Sequence, residues 1–125
     1  MNLQNNAWKF AVDEKTTMRW DEYILKSART VNPDLTTEQQ ISNAIFGLHG
    51  ELGEVTDLLK KHLYQGHTIS KDRLDEEIGD VMFYLAWLCR LYKVDLETVL
   101  HQNFIKLYKR YPEGFDVIKS VEREG

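Results

Sequence analysis

The chain is poor in the residues that break or staple a fold. It has two prolines and seven glycines in 125 residues, so long helices are permitted. Its single cysteine, Cys89, excludes an internal disulfide framework, and no Cys/His zinc spacing occurs. No apolar run approaches the ~18 residues of a membrane span. The opening MNLQNNAWKF lacks the apolar core of a signal peptide. The expectation is a cytoplasmic protein with no membrane association. Positive charge is also scarce: the formal net charge is −4, and no basic stripe offers a footprint for nucleic acid. What is plentiful is apolar surface. Hydrophobic residues make up 42% of the chain, enough for one globular domain with a real core.

Those apolar residues recur at three- and four-residue spacing, with no strand-like alternation and no internal repeat. The spacing predicts an all-α protein. Residues 1–18 are weakly periodic and read as an N-terminal extension able to hold a short helix. A first helix is expected from about Trp20 to Thr30, ending at Asn32-Pro33. A second opens at TTEQQ, with Thr36 or Thr37 as cap and Gln39 or Gln40 closing a capping box, and ends at Gly66. A third runs from Ser70-Lys71 to about Lys93. A fourth runs from Asp95, whose carboxylate suits an N-cap, to about Arg110, where Pro112 and Gly114 stop it. The domain spans 19–116, and 117–125 read as a mobile tail. Short connections between four helices suggest an antiparallel bundle. One stripe comprises Ile41, Ala44, Ile45, Leu48, Leu52, Val55, Leu59 and Leu63; a facing stripe runs from Leu74 through Ile78, Val81, Leu85 and Leu88 to Tyr92.

Against this regular background stand ELGEV at Glu51–Val55 and EEIGDV at Glu76–Val81. Each sets a glycine between two acids spaced three apart, although glycine inside a helix costs about 1 kcal/mol relative to alanine. Helical projection puts Glu51 and Glu77 at the margins of the two stripes and Glu54 and Asp80 just beyond, so the pairs face each other if the helices pack antiparallel. Gly50, Gly53 and Gly79 would then allow close backbone approach beside the acids. One i,i+3 acid pair is ordinarily a solvated surface feature. Two such pairs, each glycine-bearing and each at the edge of an apolar stripe, point instead to a shared cation, because four carboxylates repel unless something positive lies between them. All-oxygen ligands select a hard ion, Mg²⁺ first and Mn²⁺ second. A di-iron bundle would want Glu-x-x-His, and none of His49, His62, His67 or His101 follows a glutamate by three.

The fourth helix carries Asn103, Lys106 and Arg110 beside the apolar Leu96, Val99, Leu100 and Leu107. Such cations either pair with the acids of the other helices or hold phosphate, Arg110 as a fork and Lys106 as a point charge. Lys61, two turns beyond Glu54, is a further phosphate candidate; Lys60 points elsewhere. Tyr84 and Trp87 follow Asp80 at helical spacing. Aromatics so placed are usually core, but they could also be the wall on which a base stacks. His49 reads as a partly buried structural histidine and Cys89 as packing.

Taken together, ELGEV, EEIGDV and NFIKLYKRYPEGF resemble a MazG-like nucleotide pyrophosphohydrolase, of the all-α NTP pyrophosphatase superfamily that includes dimeric dUTPases. The Glu-x-x-Glu and Glu-x-x-Asp pattern matches through Glu51, Glu54, Glu77 and Asp80. The downstream stretch matches through Asn103, Lys106, Arg110, Tyr111, Pro112, Gly114 and Phe115. The resemblance covers roughly Trp20 to Asp116. Many family members carry a further Glu before the first motif Glu, where this chain has Gly50. The resemblance implies Mg²⁺-dependent hydrolysis between the α- and β-phosphates of an NTP or dNTP, giving monophosphate and pyrophosphate. It also implies homodimers or homotetramers that associate through their helices, with the partner's first two helices completing a base pocket. The four acids would hold metal, and Glu51 or Glu54 would orient the attacking water or take its proton. Asn103, Lys106, Arg110 and Lys61 would bind phosphate, and Tyr84 and Trp87, with Trp8 and Trp20 as further aromatics, would meet the base. The competing account is a non-catalytic nucleotide-binding or helical association module, which a bundle pattern alone does not separate from an enzyme.

Overall fold

A computed structural model describes residues 17–123. The expected extension at 1–18, Trp8 included, falls almost wholly outside them. The fold is all-α: α1 Trp20–Lys26, continued by a 3₁₀ turn Ser27–Thr30; α2 Thr37–Tyr64; α3 Lys71–Leu91; α4 Leu96–Arg110; and α5 Val117–Val121. No helix among the described residues is long and apolar enough to cross a membrane. Two compact units make up the chain, one ending at Leu91 and the other beginning at Tyr92.

In the first unit, α2 starts where its caps dictate. The Thr36 hydroxyl accepts from the Gln39 amide at 3.2 Å and the Gln39 side chain accepts from the Thr36 amide at 2.9 Å, so the reciprocal box satisfies two amides the helix leaves free. Gly66, at φ 71°, ends the helix in the left-handed region that a side chain disfavours. α2 and α3 then pack antiparallel. Gln40 near the start of α2 meets Trp87 near the end of α3, Gly47 meets Tyr84, and Glu51 meets Glu77 and Asp80. Ala44 and Ala86 are fully buried, and these small residues let the two backbones approach. Trp87 and Cys89 complete the buried apolar set. Burial pushes the Cys89 thiol up from its ordinary pKa, which fits an inert packing residue.

Glycine plays a different part from the one expected. A Cβ on Gly47 would sit 2.1 Å from the Tyr84 ring, so the tyrosine can lie against α2 only because position 47 is bare. Beside Gly50, Gly53 and Gly79 a Cβ would meet nothing within 4 Å; close approach there is not to another part of the described chain. α1 is tied to α3 by Arg90, whose guanidinium donates to the Ile24 carbonyl at 2.7 Å.

The second unit holds α4 and α5. Asp95 flanks α4 as expected, but its side chain bonds no backbone amide; it accepts from the Thr98 hydroxyl at 2.9 Å instead. The stretch read as a mobile tail contains α5, because the Asp116 carboxylate accepts from the Ile118 and Lys119 amides and caps that turn.

Candidate metal centre

Glu51 lies on the margin of α2 and is half-buried; Glu54, one turn on, is exposed. On α3, Glu77 is only 7% exposed and Asp80 faces solvent. Antiparallel packing brings the two margins together. One carboxylate oxygen from each of Glu51, Glu77 and Asp80 lies within 4.8 Å of the others. Glu54 stands outside this trio but within its field. The Glu51 carboxyl is held above its ordinary pKa by burial first, then by the charges of Asp80, Glu77 and Glu54. Tyr23 of α1 also senses the cluster: burial and the Asp80 charge raise its phenol, against the pull of Arg90.

The donor chemistry fits a hard divalent cation. The trio offers only carboxylate oxygens, from two elements, around one point. A buried carboxylate needs a positive partner, and the ion partner of Glu77 among the described residues is Arg73, one turn earlier, Nη2 to Oε1 3.0 Å. One exposed guanidinium does not neutralise three acids.

Next to the trio is a cavity of about 340 Å³ bounded by Glu54, Asp57, Lys61, His67, Arg73 and Glu77. Lys61 therefore does stand beside the acids, held on Asp57 at 2.7 Å. Lys60 reaches the same carboxylate at 3.6 Å. Asn103, Lys106 and Arg110 belong to α4 in the second unit. Lys106 and Arg110, with Gln102, Ile105 and Lys109, border a shallow depression of about 390 Å³; Asn103 is exposed.

The aromatic candidates divide. Tyr84 is half-buried, packed on Gly47 and stacked with Trp87 at 6.3 Å between centroids. Trp87 is 4% exposed, its indole N–H donates to Gln40 Oε1 at 3.2 Å, and its ring packs with Phe83 and Tyr84. In this chain Trp87 is core and offers no free face to a base, because both its N–H and its surface are spent on the interior. Trp20 is half-buried against Tyr23. His49, expected to be partly buried, is exposed and bonds through Nδ1 to the Ile45 carbonyl of its own helix at 2.9 Å. Arg73, Tyr23 and Gly47 are features the sequence reading passed over. The i,i+4 spacing of Arg73 to Glu77 is the one signal that could have found the first.

A family profile described as "MazG nucleotide pyrophosphohydrolase domain" matches residues 39–115, more than half of the chain, with both acid pairs and the α4 signature inside it. The chain belongs to the MazG nucleotide pyrophosphohydrolase family. The resemblance carried by the motifs is thereby borne out, although the match begins at Gln39 and leaves α1 outside. The chain is also similar to "Gene 37 protein" of Mycobacterium phage L5, 35% identical over 85 residues that cover 65% of this chain and 75% of that protein. No solved structure matches at a significant level.

Proposed function

We propose that this chain is a Mg²⁺-dependent nucleoside triphosphate pyrophosphohydrolase, with Mn²⁺ as the alternative ion, that cleaves an NTP or dNTP between the α- and β-phosphates. The observation that carries the reading is the meeting of Glu51, Glu77 and Asp80 oxygens within 4.8 Å in a member of this family. A triphosphate brings about four negative charges and is repelled by bare acids. When bound, the divalent ion supplies the neutralising charge and lowers the pKa of a coordinated water.

The protein's own groups would do the rest. Glu51, Glu77 and Asp80 hold the ion. Glu54, outside the trio and on the wall of the adjoining cavity, accepts the proton of the attacking water. The water oxygen bonds to phosphorus, the bridging P–O bond breaks, and the bridge oxygen leaves with the pyrophosphate. Asn103, Lys106 and Arg110 are assigned to phosphate by the motif they match, and Tyr84 to the base. We further propose a homodimer or homotetramer. The support is the apolar load of α4, where Leu100, Phe104 and Tyr108 are all exposed and want a partner surface.

The test is incubation with a panel of NTPs and dNTPs and Mg²⁺, followed by separation of products. Monophosphate with pyrophosphate is the expected pair. Diphosphate with inorganic phosphate, or no turnover of any nucleotide, contradicts the reading.

A further inference from the structure

The cavity beside the acids has no role in the family assignment, and its walls are unusual. Six of its lining side chains are titratable, three of them acidic (Glu54, Asp57, Glu77) and three basic or imidazole (Lys61, His67, Arg73). No Phe, Tyr or Trp ring borders it, and its lining is dominated by charge, which suits phosphate better than a base. It adjoins the trio through Glu77, which belongs to both. Each of its two strong cations already rests on an acid of the same wall: Lys61 on Asp57 at 2.7 Å and Arg73 on Glu77 at 3.0 Å. The Arg73 side chain is 56% exposed while that of Glu77 is 9% exposed. The guanidinium is thus the solvent-facing partner, reaching in to cover a carboxylate that is buried.

We propose that Arg73 is a substrate-binding residue that leaves Glu77 and, with Lys61, grips the terminal phosphates of the nucleotide in this cavity. The assignment rests on the pyrophosphohydrolase reading and refines it. Arg73 and a divalent ion would compete for the same Glu77 carboxylate, which belongs both to the ion pair and to the acid trio. An ion that draws on the Glu77 carboxylate would weaken its hold on Arg73 and free the guanidinium on the wall of a cavity next to the acids. Uncovering the buried Glu77 carboxylate alone would be costly, but an ion bound there would supply the charge that Arg73 gives up, leaving the solvent-exposed guanidinium free to take a phosphate instead. A guanidinium fork on a phosphate is among the stronger charge-assisted contacts. The wall carries more acid than strong base, so bare pyrophosphate is repelled, and the cavity takes it only with a divalent ion. The leaving pyrophosphate would then lie on α2 and α3 of one chain, next to the acids.

The experiment is calorimetric titration of inorganic pyrophosphate, with and without Mg²⁺, into the wild type, Arg73→Gln and Arg73→Lys, with Mn²⁺ binding alone followed by electron paramagnetic resonance. Arg73 is exposed, and circular dichroism verifies that each variant folds. Pyrophosphate binding is expected only with Mg²⁺, to weaken about tenfold or more in Arg73→Gln, and to recover in part in Arg73→Lys. Mn²⁺ affinity in Arg73→Gln should equal or exceed the wild type's, because a competing cation has been removed from Glu77. Wild-type pyrophosphate affinity in Arg73→Gln overturns the assignment and leaves the functional reading standing. A parallel loss of Mn²⁺ affinity also overturns it, since Arg73 would then only position Glu77. A wild type that binds neither pyrophosphate nor any nucleotide overturns the functional reading and this assignment together.

Discussion

The α2–α3 pair and helix α4 carry equally amphipathic sequences, yet they use them differently. The pair buries Ala44, Ala86, Trp87 and Cys89, and with them the charged Glu77. α4 buries nothing: Phe104 on its apolar side is 62% exposed. Where two helices meet, apolar packing also fixes where charges converge, and a carboxylate can be held in a nearly dry place. A helix with its apolar side open fixes nothing beyond its own face. The difference separates the parts of the site that rest on geometry, the acids of α2 and α3, from those that rest on a motif, Asn103, Lys106 and Arg110.

The contrast can be broken most forcefully by truncating one aromatic on each side. Trp87→Ala should lower stability by about 3–5 kcal/mol in chemical denaturation, whereas Phe104→Ala at low protein concentration should stay within about 0.5 kcal/mol. Equal losses would mean that α4 is packed as firmly as α3. The glycines sharpen the same point within α2. Gly47→Ala forces a methyl into the Tyr84 ring and should cost about 1–3 kcal/mol. Gly53→Ala enters open space and should raise stability by up to about 1 kcal/mol. Reversed signs would refute the packing described.

Helix starts differ in the same sense. Thr36→Ala removes half of a reciprocal box and should cost about 1 kcal/mol. Asp95→Ala removes a side chain that caps no amide and should fall within about 0.5 kcal/mol. The smallest effect is in the pH dependence of melting. The folded pKa of Glu51 lies above its ordinary 4.5, so the unfolded state gives up that proton more readily. Stability of the metal-free protein should fall as pH rises from the ordinary value through the folded one, and stay lowered at neutral pH. Mg²⁺ should therefore raise the melting temperature at pH 7 and barely change it near pH 4. A shift of the same size at both would mean that the acids are not where the ion acts.

Much of this was legible beforehand. Periodicity located the three longer helices to within two residues or so, whereas the first gives way to a 3₁₀ turn at Ser27; the two glycine-centred acid pairs pointed to the meeting of α2 and α3. Periodicity assigns a side chain to a face, not to a depth below the neighbouring helix. Glu77 at the margin and Asp80 just beyond it lie one turn apart, yet one is buried and the other faces water. Glu54 was grouped with the ligands, but its oxygens lie outside the trio that converges. Trp87 and Tyr84 share a flank, and only the packing of Gln40 and Gly47 reveals that the first is sealed and the second pressed against bare backbone. A glycine needed for contact and a glycine facing open space look alike in sequence, which is why Gly47 was passed over while Gly53 drew notice. The short helix after Asp116 was missed because five residues carry too little periodicity to register.

The central claim is that Glu51, Glu77 and Asp80 share a divalent ion, and titration of Mn²⁺ into the wild type and Glu77→Gln, read by electron paramagnetic resonance, tests it most directly. The account predicts Mn²⁺ binding by the wild type and affinity at least about tenfold weaker in Glu77→Gln, with the circular dichroism of the two proteins superimposable. Equal affinity in both proteins, or none in either, would contradict it.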